Sequence, residues 1–282
     1  MKVFISVDME GVSGVVAYDH TSETGYDYEL ARRWMMGEAN AAVEGALAAG
    51  ADEVVVSDSH GANGYRNLRL SDLHPEATLV SGFLQRPLAQ MEGMDATCDA
   101  FFLIGYHVRQ GSFGVISHTT VGGLVANVWL NGLLVGECGL NAALAGHFGV
   151  PTVLISGDGG TVEEVRDLIP GVEGAVVKQT LSQGAARCLS PVRAQAVIRE
   201  AARRAVERRQ EISPFQVSEP ATVRLQYKDT SSAESAMRLP DVMQVAPDTV
   251  EYTGADMVGT FKVYHAMVDL GVRRVAVQRG PK

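Results

Sequence analysis

Cysteine is scarce in this chain. Cys98, Cys138 and Cys188 are the only three in 282 residues, widely spaced and without a CxxC pair. An odd, scattered set excludes a disulfide framework and suits a reducing compartment, so the cytoplasm is the expected location. Long apolar runs are missing too. The stretch opening MKVFISVDMEG gives only about five residues before its first acid, too short for a secretion signal, and no segment reaches the roughly 18 apolar residues of a membrane span. Positive charge is also short: 24 Lys and Arg stand against 33 Asp and Glu, a formal net charge of -9 with a pI near 5.3. That balance excludes a nucleic-acid footprint. The Arg-rich stretch from Arg199 to Arg209 alternates with acids and alanines, as a solvated helix face does. No nucleic acid and no membrane is expected as partner, and neither an internal repeat nor a low-complexity tract is present.

What remains is an ordinary globular composition, 46% hydrophobic and 20% charged, in a chain long enough to bury a sizeable core without staples. Lys2 to Val7 reads as a buried strand, and Tyr28 to Ala49 carries apolar residues at helical spacing up to Gly50, a C′ glycine. Short apolar runs at Glu53 to Val56, Thr78 to Val80, Ala100 to Ile104, Thr152 to Ile155 and Ala175 to Val177 read as further strands. Helices are expected from about Gly139 to His147, after Gly160, and from about Pro191 to Arg209. Asn131-Gly132 between Val125 to Leu130 and Leu133 to Val135 predicts a type I′ hairpin, an antiparallel excursion inside the α/β unit. Ser213-Pro214 and Glu219-Pro220 mark a boundary, followed by a strand at Thr222 to Tyr227, a short helix near Ala233, a strand near Val242 and a helix from Gly254 to Leu270. The expected fold class is α/β: a three-layer domain with a mostly parallel sheet over residues 1–213, and a smaller C-terminal α+β domain over residues 214–282.

Polar chemistry recurs at the strand ends. Asp8 and Glu10 close the first strand two residues apart, so their carboxylates point to one side and can converge on a cation. Ligands bind at that edge of an open parallel sheet. An isolated DxE, however, also serves to solvate a strand end or cap a turn. His60 follows the second strand in SDSHG, where Asp58 is either a ligand itself or an orienting partner of the imidazole. His107 follows the fourth strand in GYH. Carboxylates and imidazoles delivered by three parallel strand ends suit Zn²⁺, with Mn²⁺ or Co²⁺ as substitutes. Glu137 opens a helix, where the ordinary role of an acid is to complement the macrodipole. His118, in a Gly- and Ser-rich loop, reads as an acid/base or nucleophilic group or as a plain loop histidine.

Other features have blander readings. GDGG at 157–160 lacks the Lys-Ser/Thr pair of a P-loop and reads as a turn. Lys178 is expected as a surface lysine at a strand end rather than a partner for a substrate carboxylate. His20, His74, His147 and His265 have no acidic neighbours at ligand spacing, and nothing marks Cys138 as a nucleophile.

Taken together, SVDMEG at 6–11, SDSH at 57–60, GYH at 105–107, SH at 117–118 and VGECGLNA at 135–142 resemble the zinc D-aminopeptidases of bacterial dipeptide-transport operons. The resemblance continues through HPEATLVSG at 74–82, AVVKQT at 175–180 and CLSP at 188–191, and thins in the C-terminal part. It departs at Cys138, where an aliphatic residue is expected beside Glu137. The resemblance implies a metallo-aminopeptidase with two Zn²⁺ per subunit, held by Asp8, Glu10, His60, His107 and Glu137, with Asp8 as the bridge. His118 matches the histidine proposed as nucleophile in that family. The substrates implied are short peptides with an N-terminal D-amino acid, D-Ala above all, or glycine. The assembly implied is a ring-shaped homodecamer enclosing its active sites. Two rivals share the same ligands: a dinuclear hydrolase of phosphoesters, against which the scarcity of Arg and Lys near the motifs counts, and a non-catalytic peptide- or metal-binding protein working with dipeptide transport, which has no use for His118.

Overall fold

The computed structural model describes residues 1–82 and 86–279, with side chains described as far as residue 272. Twelve strands and seven α-helices lie among the described residues. The strands are β1 (Lys2–Val7), β2 (Glu53–Asp58), β3 (Ala77–Val80), β4 (Ala100–Tyr106), β5 (Val125–Leu130), β6 (Leu133–Val135), β7 (Thr152–Asp158), β8 (Glu173–Ser182), β9 (Ala185–Cys188), β10 (Ala221–Tyr227), β11 (Met243–Ala246) and β12 (Thr249–Gly254). The helices are α1 (Tyr18–Thr21), α2 (Tyr28–Ala48), α3 (Glu137–His147), α4 (Gly159–Leu168), α5 (Pro191–Glu207), α6 (Thr230–Ala236) and α7 (Met257–Arg279).

The first sheet has the order β3-β2-β1-β4-β7-β8-β9 and is parallel except for the edge pair β8-β9. Its central strands are buried along nearly their whole length, as expected where helices cover both faces. Consecutive residues of β8 show the two layers. The carboxylate of Glu173 pairs with Arg204 and Arg208 at the end of α5, whereas a Cβ on the next residue, Gly174, would meet Val162 of α4. Neighbours on a strand face opposite ways, so α4 and α5 lie on opposite faces. Helix α2 packs on α5, and Gly45 permits the approach, since a Cβ there would come within 2.3 Å of the Arg199 carbonyl oxygen. Helix α2 ends in a Schellman motif: Ala51 N–H donates to Ala46 O at 3.1 Å and Gly50 N–H to Leu47 O at 2.9 Å.

The predicted hairpin forms, with both turn residues at positive φ, 48° at Asn131 and 84° at Gly132. It does not stay with the parallel sheet. β5 pairs with β10, so the second sheet, ordered β11-β12-β10-β5-β6, combines the hairpin with strands more than eighty residues later in the chain. The final helix starts at Met257 rather than Gly254, because Gly254 ends a strand, β12, that pairs with β10. No helix among the described residues is long and apolar enough to cross a membrane.

Strand order positions the site. The chain runs outward through β2 and β3 on one side of β1, then returns to place β4 on the other, which makes the gap between β1 and β4 a topological switch point. Two glycines let the strand ends close over it. A Cβ at Gly11 would sit 1.8 Å from Tyr106 O, and one at Gly105, whose φ is +69°, would sit 2.3 Å from Asp8 O.

Candidate metal centre

Asp8 leaves β1, His60 follows β2 and His107 follows β4, so three adjacent carboxyl ends deliver them to one edge. Glu137 arrives from the first turn of α3, and Glu10 and His118 from loops over the same edge. All six side chains are buried. Asp8 sits between two histidines: its Oδ1 lies 3.3 Å from His60 Nδ1 and its Oδ2 3.4 Å from His107 Nε2. Glu10 Oε2 is 3.1 Å from the same His60 nitrogen, and Glu137 Oε1 is 3.3 Å from His107 Nε2. His118 stacks flat on His107 with ring centroids 4.0 Å apart, and its Nε2 is 3.9 Å from Glu10 Oε1. Two groups thus have ligand atoms within 4.8 Å of one another: Asp8, Glu10, His60 and His107, His118, Glu137.

Backbone carbonyls fix how the imidazoles face. His60 Nε2 donates to Thr21 O at 2.8 Å, His107 Nδ1 to Val108 O at 3.0 Å, and His118 Nδ1 to Ile116 O at 2.8 Å. A carbonyl only accepts, so in each neutral ring the other nitrogen turns its lone pair toward the carboxylates. Lone pairs opposed across 3.1–3.4 Å repel unless a cation lies between them. Glu10 Oε2 and His107 Nε2 are indeed buried with no hydrogen-bond partner among the described residues. A nitrogen and oxygen donor set with orphaned buried atoms fits zinc.

The electrostatics agree. Burial alone would depress His60 and His107, yet Glu10 and Asp8 around the first and Glu137 and Asp8 around the second hold both well above the usual histidine range. Burial would raise Glu137, but His107 above all brings its carboxyl down to about 2. Glu10 is held well below the ordinary range against its own burial, chiefly by His60. The pocket is built for positive charge.

A hydrogen-bonded support lies behind the candidate ligands, and the sequence reading missed it. Gln90 Nε2 donates to Glu137 Oε2 at 2.5 Å, and Asn141 Nδ2 donates to Gln90 Oε1 at 3.0 Å and to Tyr106 Oη at 2.9 Å. Thr120 N–H donates to Glu137 Oε1 at 2.7 Å. Asn141 stands in the VGECGLNA stretch, so a signal existed for it. Gln90 sits in a short 3₁₀ turn without periodicity and gave none. Ile116 and Thr120 flank His118 at φ of 51° and 54°, conformations that β-branched residues rarely adopt.

Other residues that the sequence singles out have structural roles. Asp58 faces away from the centre: its carboxylate accepts from Asn67 N at 2.5 Å, Leu68 N at 2.7 Å and Asn67 Nδ2 at 2.8 Å, pinning the loop that carries His60. GDGG at 157–160 is not a turn: Gly157 and Asp158 end β7 and Gly159 opens α4 directly, with Asp158 capping the helix by accepting from Thr161 N at 2.8 Å. His147 pairs with Glu219 at 2.8 Å, an acidic partner 72 residues away in sequence. Burial pushes the Cys138 thiol well up, which suits no nucleophile.

Lys178 is neither on the surface nor available to a substrate. It is 2% exposed, and its Nζ donates to the carbonyls of Glu10, Val12 (3.1 Å) and Val15 (2.6 Å). Burial pushes its ammonium down to about 8, with Asp158 foremost in opposing that. Its three protons all go to carbonyls of the loop that carries Glu10. Lys178→Met is therefore expected to leave those carbonyls without donors, cost about 3 kcal/mol and lower the melting temperature by roughly 5–10 °C. Thermal denaturation showing no change would overturn this account of the loop.

Known proteins share this chain's sequence and fold. The family model described as D-aminopeptidase, peptidase family M55, matches residues 1–266. The chain belongs to the D-aminopeptidase family. A family relative, the D-aminopeptidase of Bacillus subtilis strain 168, is 35% identical over 274 residues, which cover 97% of this chain and 98% of the relative. A solved family structure, the Zn-dependent D-aminopeptidase DppA from Bacillus subtilis, a self-compartmentalizing protease, superimposes with a TM-score of 0.93 at 34% identity, covering 97% of this chain and 98% of that one. The expected mixed α/β architecture with its mostly parallel sheet is thereby shown for this family member.

Proposed function

We propose that this chain is a cytoplasmic, zinc-dependent aminopeptidase that cleaves short peptides beginning with a D-amino acid, D-Ala above all, or glycine. The observation that carries the reading is the pair of buried triads joined by Asp8, within a fold shared with a zinc-dependent D-aminopeptidase. In this reading Asp8, Glu10, His60, His107 and Glu137 would hold two zinc ions, Asp8 being the residue placed to serve both triads. Bound there, zinc supplies Lewis acidity to the peptide carbonyl and makes water a nucleophile near neutral pH.

The remaining work falls to the chain's own groups. His118 keeps its Nδ1 proton on the Ile116 carbonyl, so Nε2 is the atom that takes a proton from the attacking group and returns one to the leaving amine. Direct attack by Nε2 on the carbonyl is the other role open to the same atom. Gln90 and Thr120 hold Glu137 in place from both of its oxygens. The cavity over the centre, about 350 Å³, is lined by Tyr65, Thr21 and Val121 besides the charged groups, a size that suits a short peptide segment. A ring-shaped homodecamer enclosing the sites is part of the proposal, supported by the self-compartmentalizing character of the structural relative.

The test is hydrolysis of D-Ala-D-Ala, Gly-Gly and L-Ala-L-Ala before and after chelation, with zinc added back. Loss on chelation and zinc-restored cleavage of the first two is expected. Absence of cleavage by fully metal-loaded protein would overturn the peptidase reading.

A further inference from the structure

The metal cavity is lined by three carboxylates and, among the described residues, by no lysine or arginine. A peptide substrate is a zwitterion. Acidic walls and metal ligands suit its ammonium end and its reacting carbonyl, and offer nothing direct to its carboxylate.

A second cavity, about 260 Å³, lies against the first, and Tyr65 lines both. Its walls carry two cations, Arg86 and Lys262. Arg86 Nη2 donates to Asp58 O at 2.7 Å, and its guanidinium carbon stacks 4.3 Å over the Tyr65 ring. Its Nε and Nη1 are buried without a hydrogen-bond partner among the described residues. Buried guanidinium donors left unpaired are costly, and a carboxylate is the acceptor that satisfies them best. Asp269 on the same wall is already engaged, and burial pushes His265 down to about 4, so it adds no charge at neutral pH. Tyr65 itself has a φ of 55°, a left-handed conformation that a bulky residue adopts at a steric cost. Such strain is retained where a side chain must stand in one place, here between the two cavities.

We propose that Arg86, stacked on Tyr65 and assisted by Lys262, binds the C-terminal carboxylate of the peptide. The inference rests on the peptidase reading above and deepens it. The ammonium and carboxylate ends are then read by separate subsites a short chain apart, and peptides too long to place both are excluded within one subunit.

The experiment compares D-Ala-D-Ala with its C-terminal amide, D-alanyl-D-alaninamide, on zinc-loaded full-length protein. The parent is expected to favour the free acid by about 10- to 100-fold in kcat/KM, the range of a hydrogen bond to a charged group. Arg86→Met should remove that preference by slowing the acid while leaving the amide within about twofold, and Arg86→Lys should restore part of it. Retained amide cleavage shows that the variant is folded and metal-loaded. Equal cleavage of acid and amide by the parent, or equal losses on both in Arg86→Met, overturns the carboxylate subsite alone. Cleavage of neither by the parent overturns the peptidase reading and this proposal with it.

Discussion

Replacing His118 with alanine is expected to lower kcat for D-Ala-D-Ala by about 10²- to 10⁴-fold, the usual contribution of a positioned acid/base, while zinc content and melting temperature stay near those of the parent. The geometry makes the second half of this prediction the exacting one. His118 lies within ligand reach of His107 and Glu137, so proximity alone would allow it to be a ligand. Two observations argue otherwise. Asp8 Oδ2 also stands 3.4 Å from His107 Nε2, so Asp8, His107 and Glu137 would supply the three protein groups of a catalytic zinc site without His118. His118 also rides on a loop whose backbone is strained on both sides, at Ile116 and Thr120. Stored strain is typical of a group held ready for reaction. Metal analysis beside single-turnover kinetics separates the outcomes. Loss of one zinc together with activity would make His118 a ligand.

How much of this was legible beforehand divides along a physical line. Asp8, Glu10, His60 and His107 could be gathered from sequence because parallel strands bring every carboxyl end to one edge, so a polar residue after each apolar run already specifies a place. Glu137 could not be gathered that way. It opens a helix after a hairpin that belongs to the other sheet, and only the family pattern pointed to it. The pairing of β5 with β10 is written in no local signal, since strand partners are chosen by long-range packing. Lys178 was misread for a related reason. Its charge predicted a surface, and only the fold reveals three loop carbonyls converging on one buried nitrogen. The support built by Gln90 and Asn141 joins residues 51 apart, a distance over which sequence periodicity says nothing.

Asp8→Ala is expected to have the largest effect of any single substitution: loss of both ions at ordinary zinc concentrations and a fall in turnover of at least about 10³-fold. Asp8 reaches both His60 and His107, one oxygen toward each at 3.3 and 3.4 Å, whereas Glu10 reaches His60 at 3.1 Å and His118 only at 3.9 Å. Removing it leaves Glu10 with His60 on one side and Glu137 with His107 on the other, two protein ligands each where three are needed. Glu10→Ala, by contrast, removes a carboxylate that sits against His60 and 3.9 Å from His118 but has no contact with His107, and should spare the ion near His107. A thermodynamic readout checks the assignment without any assay of activity. A ligand bound only by the folded state stabilises it in proportion to the logarithm of its saturation. The parent should therefore lose thermal stability on chelation, whereas Asp8→Ala should show the same melting temperature with and without chelator. An Asp8→Ala protein that keeps two zinc ions, or that still melts lower on chelation by as much as the parent does, would remove Asp8 from the bridging position.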